Sequence, residues 1–218
     1  MTGPVDATAL RALRVVPVVE IVDAATAVPL ARALEAGGLP AMEITLRTPA
    51  ALDALAAVAA EMPDFLLGAG TLLGPRDVEA ATEAGARFLV SPARTDALDD
   101  AARATGLLFV PGVSTATEAL TAIDAGHLLL KFFPAEQSGG AAGLRSLATP
   151  LRAAGVGFMP TGGIRPDNLA DYLRVPEVAA VGGTWIAPRQ LLATGDLDEV
   201  TARAAAARAT ATTEGARA

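Results

Sequence analysis

The sequence predicts an α/β fold, a (β/α)8 barrel of the TIM type preceded by a short N-terminal helix, on three observations. Short apolar runs alternate with helical patterns along the whole chain, the signature of βα units joined into a parallel sheet. Glycines close many of the helical stretches, at Gly37-Gly38, Gly85, Gly106, Gly126 and Gly155, as helix C-caps do. Eight apolar runs with short connections, undivided by any linker or low-complexity stretch, place the 218 residues in one domain spanning 1–218.

In order along the chain, MTGPVDATALRALR reads as a short amphipathic helix without the apolar centre of a signal peptide. Strands are expected near 15–22, 41–46, 66–71, 88–92, 108–113, 128–134, 157–162 and 178–185, most of them ending in Pro, Gly or Thr turn residues. Ala/Leu-rich helices fall between them near 24–37, 49–61, 75–84, 95–105, 115–125, 140–154 and 167–174. The tail beyond about 209, ATATTEGARA, lacks apolar anchors and is expected to fray. An open doubly wound sheet is the competing fold, but its first strand-to-helix turn should carry a glycine fingerprint. Here that turn reads Val22-Asp23-Ala24-Ala25. Gly68-Ala69-Gly70 lacks the third glycine and acidic follow-up of a dinucleotide site, and is read as a close backbone approach inside the barrel.

Composition excludes several function classes. The chain is 52% hydrophobic with few aromatics, so its core is built from Ala, Val and Leu. It has no cysteine, which excludes disulfides, thiolate chemistry and Cys-based metal sites and fits a reducing cytoplasm. One histidine, His127, leaves no cluster for zinc, and no metal is expected. Every apolar run is interrupted by Gly, Pro or charge before the roughly 18 residues of a membrane span. A net charge of −7 argues against nucleic acid as a partner.

The chemistry centres on Lys131, the one lysine in the chain, set inside Leu128-Leu129-Leu130-Lys131-Phe132-Phe133-Pro134. An ammonium in an apolar strand is costly unless it finds a partner or gives up its proton, and the neutral amine is the form that attacks a carbonyl to give a Schiff base. Period-two alternation puts Leu129, Lys131 and Phe133 on one face of that strand. In the second strand Glu43, Thr45 and Arg47 share a face, with Met42, Ile44 and Leu46 opposite. Inward charges of opposite sign can be a purely structural ion pair. That reading does not explain why Thr71, Lys131, Thr161 and Thr184 all gather at strand C-terminal ends, the face on which barrel enzymes build their sites.

Two glycine pairs, Gly162-Gly163 after the seventh strand and Gly182-Gly183 in the eighth, sit where such barrels cradle phosphate. His127 is expected at the surface on the opposite end, Trp185 outward in the helix layer, and Glu118 and Asp124 solvated. Asp99-Asp100 and the Asp196, Asp198 and Glu199 cluster lack the spacing of a metal loop.

These residues resemble a known family. MEITLRTP at 42–49, GAGTLLGP at 68–75, VSPARTDAL at 90–98, PGVSTATEAL at 111–120, KFFPAEQSGG at 131–140, PTGGIRPDN at 160–168 and GGTWIAP at 182–188 are similar to 2-keto-3-deoxy-6-phosphogluconate aldolase. The resemblance covers about residues 14–195 and implies a class I aldolase of the Entner–Doudoroff route. Such an enzyme is a cytoplasmic homotrimer with a (β/α)8 fold and no cofactor, cleaving its substrate to pyruvate and glyceraldehyde 3-phosphate. Carried over by motif, Lys131 is the Schiff-base lysine and Glu43 the proton-transfer carboxylate. Arg47 and Thr71 meet the pyruvate carboxylate, Thr161 influences stereochemistry at C4, and Pro92 and Phe133 line the substrate pocket. Gly162, Gly163, Gly182, Gly183 and Thr184 are left for the phosphate.

Two positions depart from the pattern. Thr184 stands where close relatives carry serine, and Asp23 stands where some relatives place an arginine for the phosphate. Substrate identity is the point these departures open. The alternatives are 2-keto-3-deoxy-6-phosphogalactonate and 4-hydroxy-2-oxoglutarate. From other classes come a phosphate-binding barrel isomerase, with Glu43 as base and no imine, and a non-catalytic sugar-phosphate sensor.

Overall fold

Parallel strands and helices follow one another through the chain in a computed structural model that describes residues 7–216. After α1 (Ala7–Leu13), the repeats are β1 (Val15–Val19) with α2 (Ala27–Ala36), β2 (Ala41–Thr45) with α3 (Ala51–Glu61) and β3 (Leu66–Gly70) with α4 (Pro75–Glu83). They continue through β4 (Phe88–Val90), α5 (Asp96–Thr105), β5 (Leu108–Val110), β6 (Gly112–Val113), α6 (Ala116–Asp124), β7 (Leu129–Phe132) and α7 (Gly140–Ala148). Last come β8 (Gly157–Phe158), α8 (Leu169–Leu173), β9 (Val181–Gly183), α9 (Arg189–Thr194) and α10 (Leu197–Gly215).

The strands form a curled six-stranded parallel sheet in the order β5-β4-β3-β2-β1-β9 and a three-stranded parallel sheet β6-β7-β8. The single eight-stranded ladder expected from the sequence is thus divided. Its fifth run, 108–113, is interrupted at Pro111, which has no N–H to donate to a ladder. The two sheets meet there, where the Lys131 N–H donates to the Pro111 carbonyl at 2.8 Å. They meet again at the bridges Phe158↔Val178 and Thr161↔Gly182.

Alternation of the strands separates two apolar layers. Val15, Val19, Met42, Ile44, Leu130 and Phe132 pack outward against the helices. Val16, Ala41, Leu66, Phe88, Val110, Leu129 and Met159 form an inner cluster. The fully buried Leu10 of α1 joins that inner cluster, so the short N-terminal helix seals it at the end where the strands begin. With apolar residues filling that end, the inward polar residues are left to the opposite end.

The C-terminal stretch differs from expectation. Residues from 209 onward do not fray over the described range: they are the last turns of α10, a helix the sequence reading did not anticipate. Ala211 is buried, and Glu214 accepts from Arg174 Nε at 2.9 Å and Nη2 at 3.1 Å. Small alanines are the anchor here, because a methyl suffices where α10 lies close on α2 and α8. At Gly37 an added Cβ would come within 2.5 Å of the Ala204 Cβ. No helix among the described residues is long and apolar enough to cross a membrane.

Glu118, expected to be merely solvated, closes a capping box at the start of α6. Its Oε2 accepts from the backbone N–H of Ser114 at 2.7 Å and of Thr115 at 2.8 Å, while Thr115 Oγ1 accepts from Glu118 N. The Ser114 backbone bond is the main reason its carboxyl is held below the usual value. A lowered folded-state value means that this stabilisation is full above the unfolded carboxyl's titration range and is lost as pH falls through the folded value. Glu118→Ala should therefore cost about 1 kcal/mol at neutral pH, and urea melts should show the difference from the parent shrinking in acid.

Candidate active site

Lys131 and Glu43 meet inside the curled sheet, Lys131 one residue from the C-terminal end of β7 and Glu43 at the middle of β2. Both are inward residues on a half-apolar pattern, Lys131 on β7 and Glu43 on β2, with the Nζ donating to Glu43 Oε1 at 3.2 Å. Glu43 is fully buried and Lys131 is 5% exposed. The second carboxylate oxygen of Glu43 is buried and has no hydrogen-bond partner. Nothing about this pair looks optimised for stability alone, since a buried ion pair normally needs its remaining lone pairs satisfied. Lys131 Nζ also lies 5.3 Å from the centroid of the Phe133 ring, within cation–π range.

Glycines on the neighbouring strand make room for this pair. In the β2–β3 register Glu43 faces Gly68 and Thr45 faces Gly70. A Cβ at Gly70 would stand 2.0 Å from Glu43 Oε1, and one at Gly68 would stand 2.2 Å from the Phe88 ring. The Gly68-Ala69-Gly70 run thus admits side chains, a carboxylate and an aromatic ring, where a close backbone approach was expected. Gly70→Ala should displace the Glu43 carboxylate and, on the expectation that this carboxylate moves a proton, lower turnover on the order of 10²-fold, the cost of a misplacement of about an ångström. Steady-state kinetics would check this beside a thermal melt.

Around the pair, the other expected residues arrive from six strand ends. Arg47 lies just past β2, exposed, and its Nε donates to Thr71 Oγ1 at 3.2 Å. Thr71 takes φ 61°, a left-handed conformation that is strained for a β-branched residue. Ordering Arg47 is the local use visible for that strain. Thr45 faces inward but is structural: its Oγ1 donates to the Val19 carbonyl at 3.1 Å, tying β2 to β1. Pro92 and Phe133 line one cleft of about 190 Å³, together with Arg94, Ser114 and Thr117. The cleft adjoins the lysine through Gly112, which pairs with Lys131 in the β6–β7 register.

Thr161 and the glycine pairs form the opposite wall. Thr161 bridges to Gly182, where a Cβ would meet the Thr161 hydroxyl at 2.2 Å. Gly162 and Gly163 both have positive φ, 104° and 77°, so this turn needs glycine. Gly183 is covered by the half-buried ring of Trp185, and Thr184 is exposed at the rim. Asp23 lies apart from this wall's hydrogen bonds: it caps the short 3₁₀ turn Ala24–Thr26 by accepting from Ala25 N at 3.0 Å.

Three contacts escaped the sequence reading. Glu136, behind the Gly162-Gly163 turn, accepts from the Tyr172 hydroxyl. Arg189 and Glu20 pair at 3.1 Å at the rim beyond β1. His127, expected at the surface, is largely covered, packs edge-on against Phe109 and bonds Asp99 at 2.7 Å. Asp99 in turn meets Arg94 Nη2 at 2.5 Å. Glu136 lies in a motif already singled out, but its partner is 36 residues away, and no local pattern pairs them.

Chemically, the arrangement offers an amine, a carboxylate in contact with it, a guanidinium held by a threonine, and a glycine-lined wall. Residues 6–203 match the protein family "KDPG and KHG aldolase". The chain is 44% identical over 187 residues to the 2-dehydro-3-deoxy-phosphogluconate aldolase of Pseudoalteromonas atlantica, covering 86% of each. It is similar in structure to the KDPG aldolase of Legionella pneumophila with pyruvate captured as a covalent carbinolamine. The TM-score is 0.89 at 37% identity, over 93% of this chain and 98% of that one. The 2-keto-3-deoxy-6-phosphogluconate aldolase of Zymomonas mobilis with 3-phosphoglycerate superposes with TM-score 0.86 at 41% identity, over 94% and 96% of the two chains.

Proposed function

Because the chain belongs to the KDPG and KHG aldolase family, we propose that it cleaves 2-keto-3-deoxy-6-phosphogluconate to pyruvate and glyceraldehyde 3-phosphate through a Schiff base on Lys131. The observation that carries this reading is the buried Lys131–Glu43 contact, an amine and a proton acceptor 3.2 Å apart at a strand end.

The amine of Lys131 adds to the C2 ketone to give a carbinolamine, and loss of water leaves a cationic imine. Glu43, directly or through one water, then takes the C4 hydroxyl proton. The C3–C4 electron pair moves into the imine, and the aldehyde leaves. Reprotonation at C3 and hydrolysis release pyruvate and restore the amine. Arg47 grips the C1 carboxylate through its fork of N–H donors, and Thr71 holds that fork, which turns the ketone toward Lys131. Thr161 stands beside the C4 side of the pocket, while Pro92 and Phe133 exclude water from the imine. The amides of Gly162 and Gly163, with the Thr184 hydroxyl, receive the phosphate, and Gly182 and Gly183 keep the adjoining wall free of side chains, the Gly182 N–H being held by the Pro160 carbonyl at 2.9 Å.

The aldolase reading is favoured over the isomerase and sensor readings, since curated relatives across the chain carry that activity in their names. The second substrate to be tested is 4-hydroxy-2-oxoglutarate, raised by Asp23, whose carboxylate caps a local turn. The galactonate epimer differs only at C4, where Thr161 would decide. We also read the two sheets as one (β/α)8 barrel in one domain, supported by continuity through Pro111 and the bridges beside β9. A homotrimer in the cytoplasm fits the family and the absence of cysteine.

The test is incubation with pyruvate and borohydride, followed by intact-mass measurement and peptide mapping. One pyruvyl adduct on Lys131 supports the reading, and a folded protein without an adduct overturns it. Kinetics on both epimers and on 4-hydroxy-2-oxoglutarate then rank the substrates.

A further inference from the structure

Behind the Gly162-Gly163 turn sits an acid that the mechanism does not use. Glu136 follows β7 and its backbone N–H donates to the Gly162 carbonyl at 3.1 Å, one step past the Ala135 N–H bond to the Thr161 carbonyl. Its side chain then fills the space a Cβ would need at Gly163, with Cγ 2.6 Å and Cβ 2.8 Å from that position. The apolar stem of Glu136 thus packs directly on the turn. The carboxylate does not: Oε1 is turned to the hydroxyl of Tyr172 on α8, and lies 3.3 Å from the Cβ position of Gly140, where α7 begins.

This orientation matters for an anion. A carboxylate beside a phosphate cradle repels the ligand unless its charge is held elsewhere. Tyr172 is fully buried, so its ring cannot leave and its hydroxyl is a fixed anchor. Burial, and then the bond to Glu136, push the Tyr172 phenol above its usual titration range, which keeps it a neutral donor at working pH. Near the first residues of α7 the negative charge also faces the positive end of a helix dipole.

We propose that Glu136 and Tyr172 are a positioning pair for phosphate recognition: the Glu136 stem sets the Gly162-Gly163 turn, and the Tyr172 hydroxyl holds the carboxylate away from the incoming phosphate. The proposal rests on the phosphate reading of the glycine turn. It predicts charge-dependent specificity, where a merely structural contact would lower stability or all activities together.

The experiment compares the parent enzyme, Tyr172→Phe, Glu136→Gln and the Tyr172→Phe/Glu136→Gln double variant. The substrates are 2-keto-3-deoxy-6-phosphogluconate and the phosphate-free 4-hydroxy-2-oxoglutarate. Tyr172→Phe keeps the ring and frees the carboxylate, so KM for the phosphorylated substrate should rise about tenfold with kcat little changed, the scale of one misplaced charge at a binding site. Its kcat/KM for 4-hydroxy-2-oxoglutarate and its borohydride trapping of pyruvate should stay at the parent level. Glu136→Gln, which still accepts from Tyr172, should resemble the parent, and in the double variant the removal of charge should restore KM. Equal losses on both substrates, no KM change in a folded Tyr172→Phe, or no rescue in the double variant would overturn the proposal. A parent enzyme without preference for the phosphorylated substrate would overturn the phosphate reading itself, and this inference with it.

Discussion

Lys131→Ala should abolish cleavage and pyruvate trapping together, lowering turnover on the order of 10⁴-fold or more, because it would remove the proposed covalent route outright. The chain has no second lysine to substitute, so residual adducts can form only at the N-terminal amine, which peptide mapping separates. The substitution also strands Glu43, which is fully buried and pairs with Lys131. Leaving one member of a buried pair costs roughly 3–5 kcal/mol unless the remaining group neutralises. Lys131→Met fills more of the vacated volume and serves as the control for folding. Loss of activity in both variants, with a cooperative melt in at least one, assigns the loss to chemistry. Full activity in either would end the Schiff-base mechanism.

Glu43→Gln separates imine formation from bond cleavage. The amide keeps the shape and can still accept from Lys131, but it cannot take a proton. Turnover should fall by roughly 10²–10⁴-fold, the range for removing a general base. Pyruvate should still be trapped by borohydride, more slowly, since the amine remains. Exchange of the pyruvate methyl protons with deuterium, followed by NMR, reads the same proton transfer without any aldehyde present. Normal exchange in Glu43→Gln would move the role to another group.

Much of this was legible in the sequence because it is periodic or singular. Strict alternation placed Glu43 and Lys131 inward and Met42, Ile44, Leu130 and Phe132 outward, as the two apolar layers bear out. A lone lysine among leucines marks itself. What stayed hidden was non-local. The capping role of Glu118 was readable from Ser114-Thr115 three and four positions back, and was missed. By contrast Glu136 with Tyr172, Arg94 with Asp99 and His127, and Glu20 with Arg189 join residues from different elements. The helical course of residues 197–215 was missed because its anchors are alanines, whose small side chains give a weak apolar periodicity.

By itself, then, the sequence determined the alternation of strands and helices, the inward facing of Glu43 and Lys131 and the singling out of Lys131 as the one side-chain amine, since these depend on local period and residue type. Only the tertiary structure decided that Lys131 meets Glu43 across 88 positions, that Gly70 is the gap admitting the carboxylate, and that the parallel ladder breaks at Pro111. Those outcomes depend on register between strands and on the space left between them, and neither is encoded within any one segment of the chain.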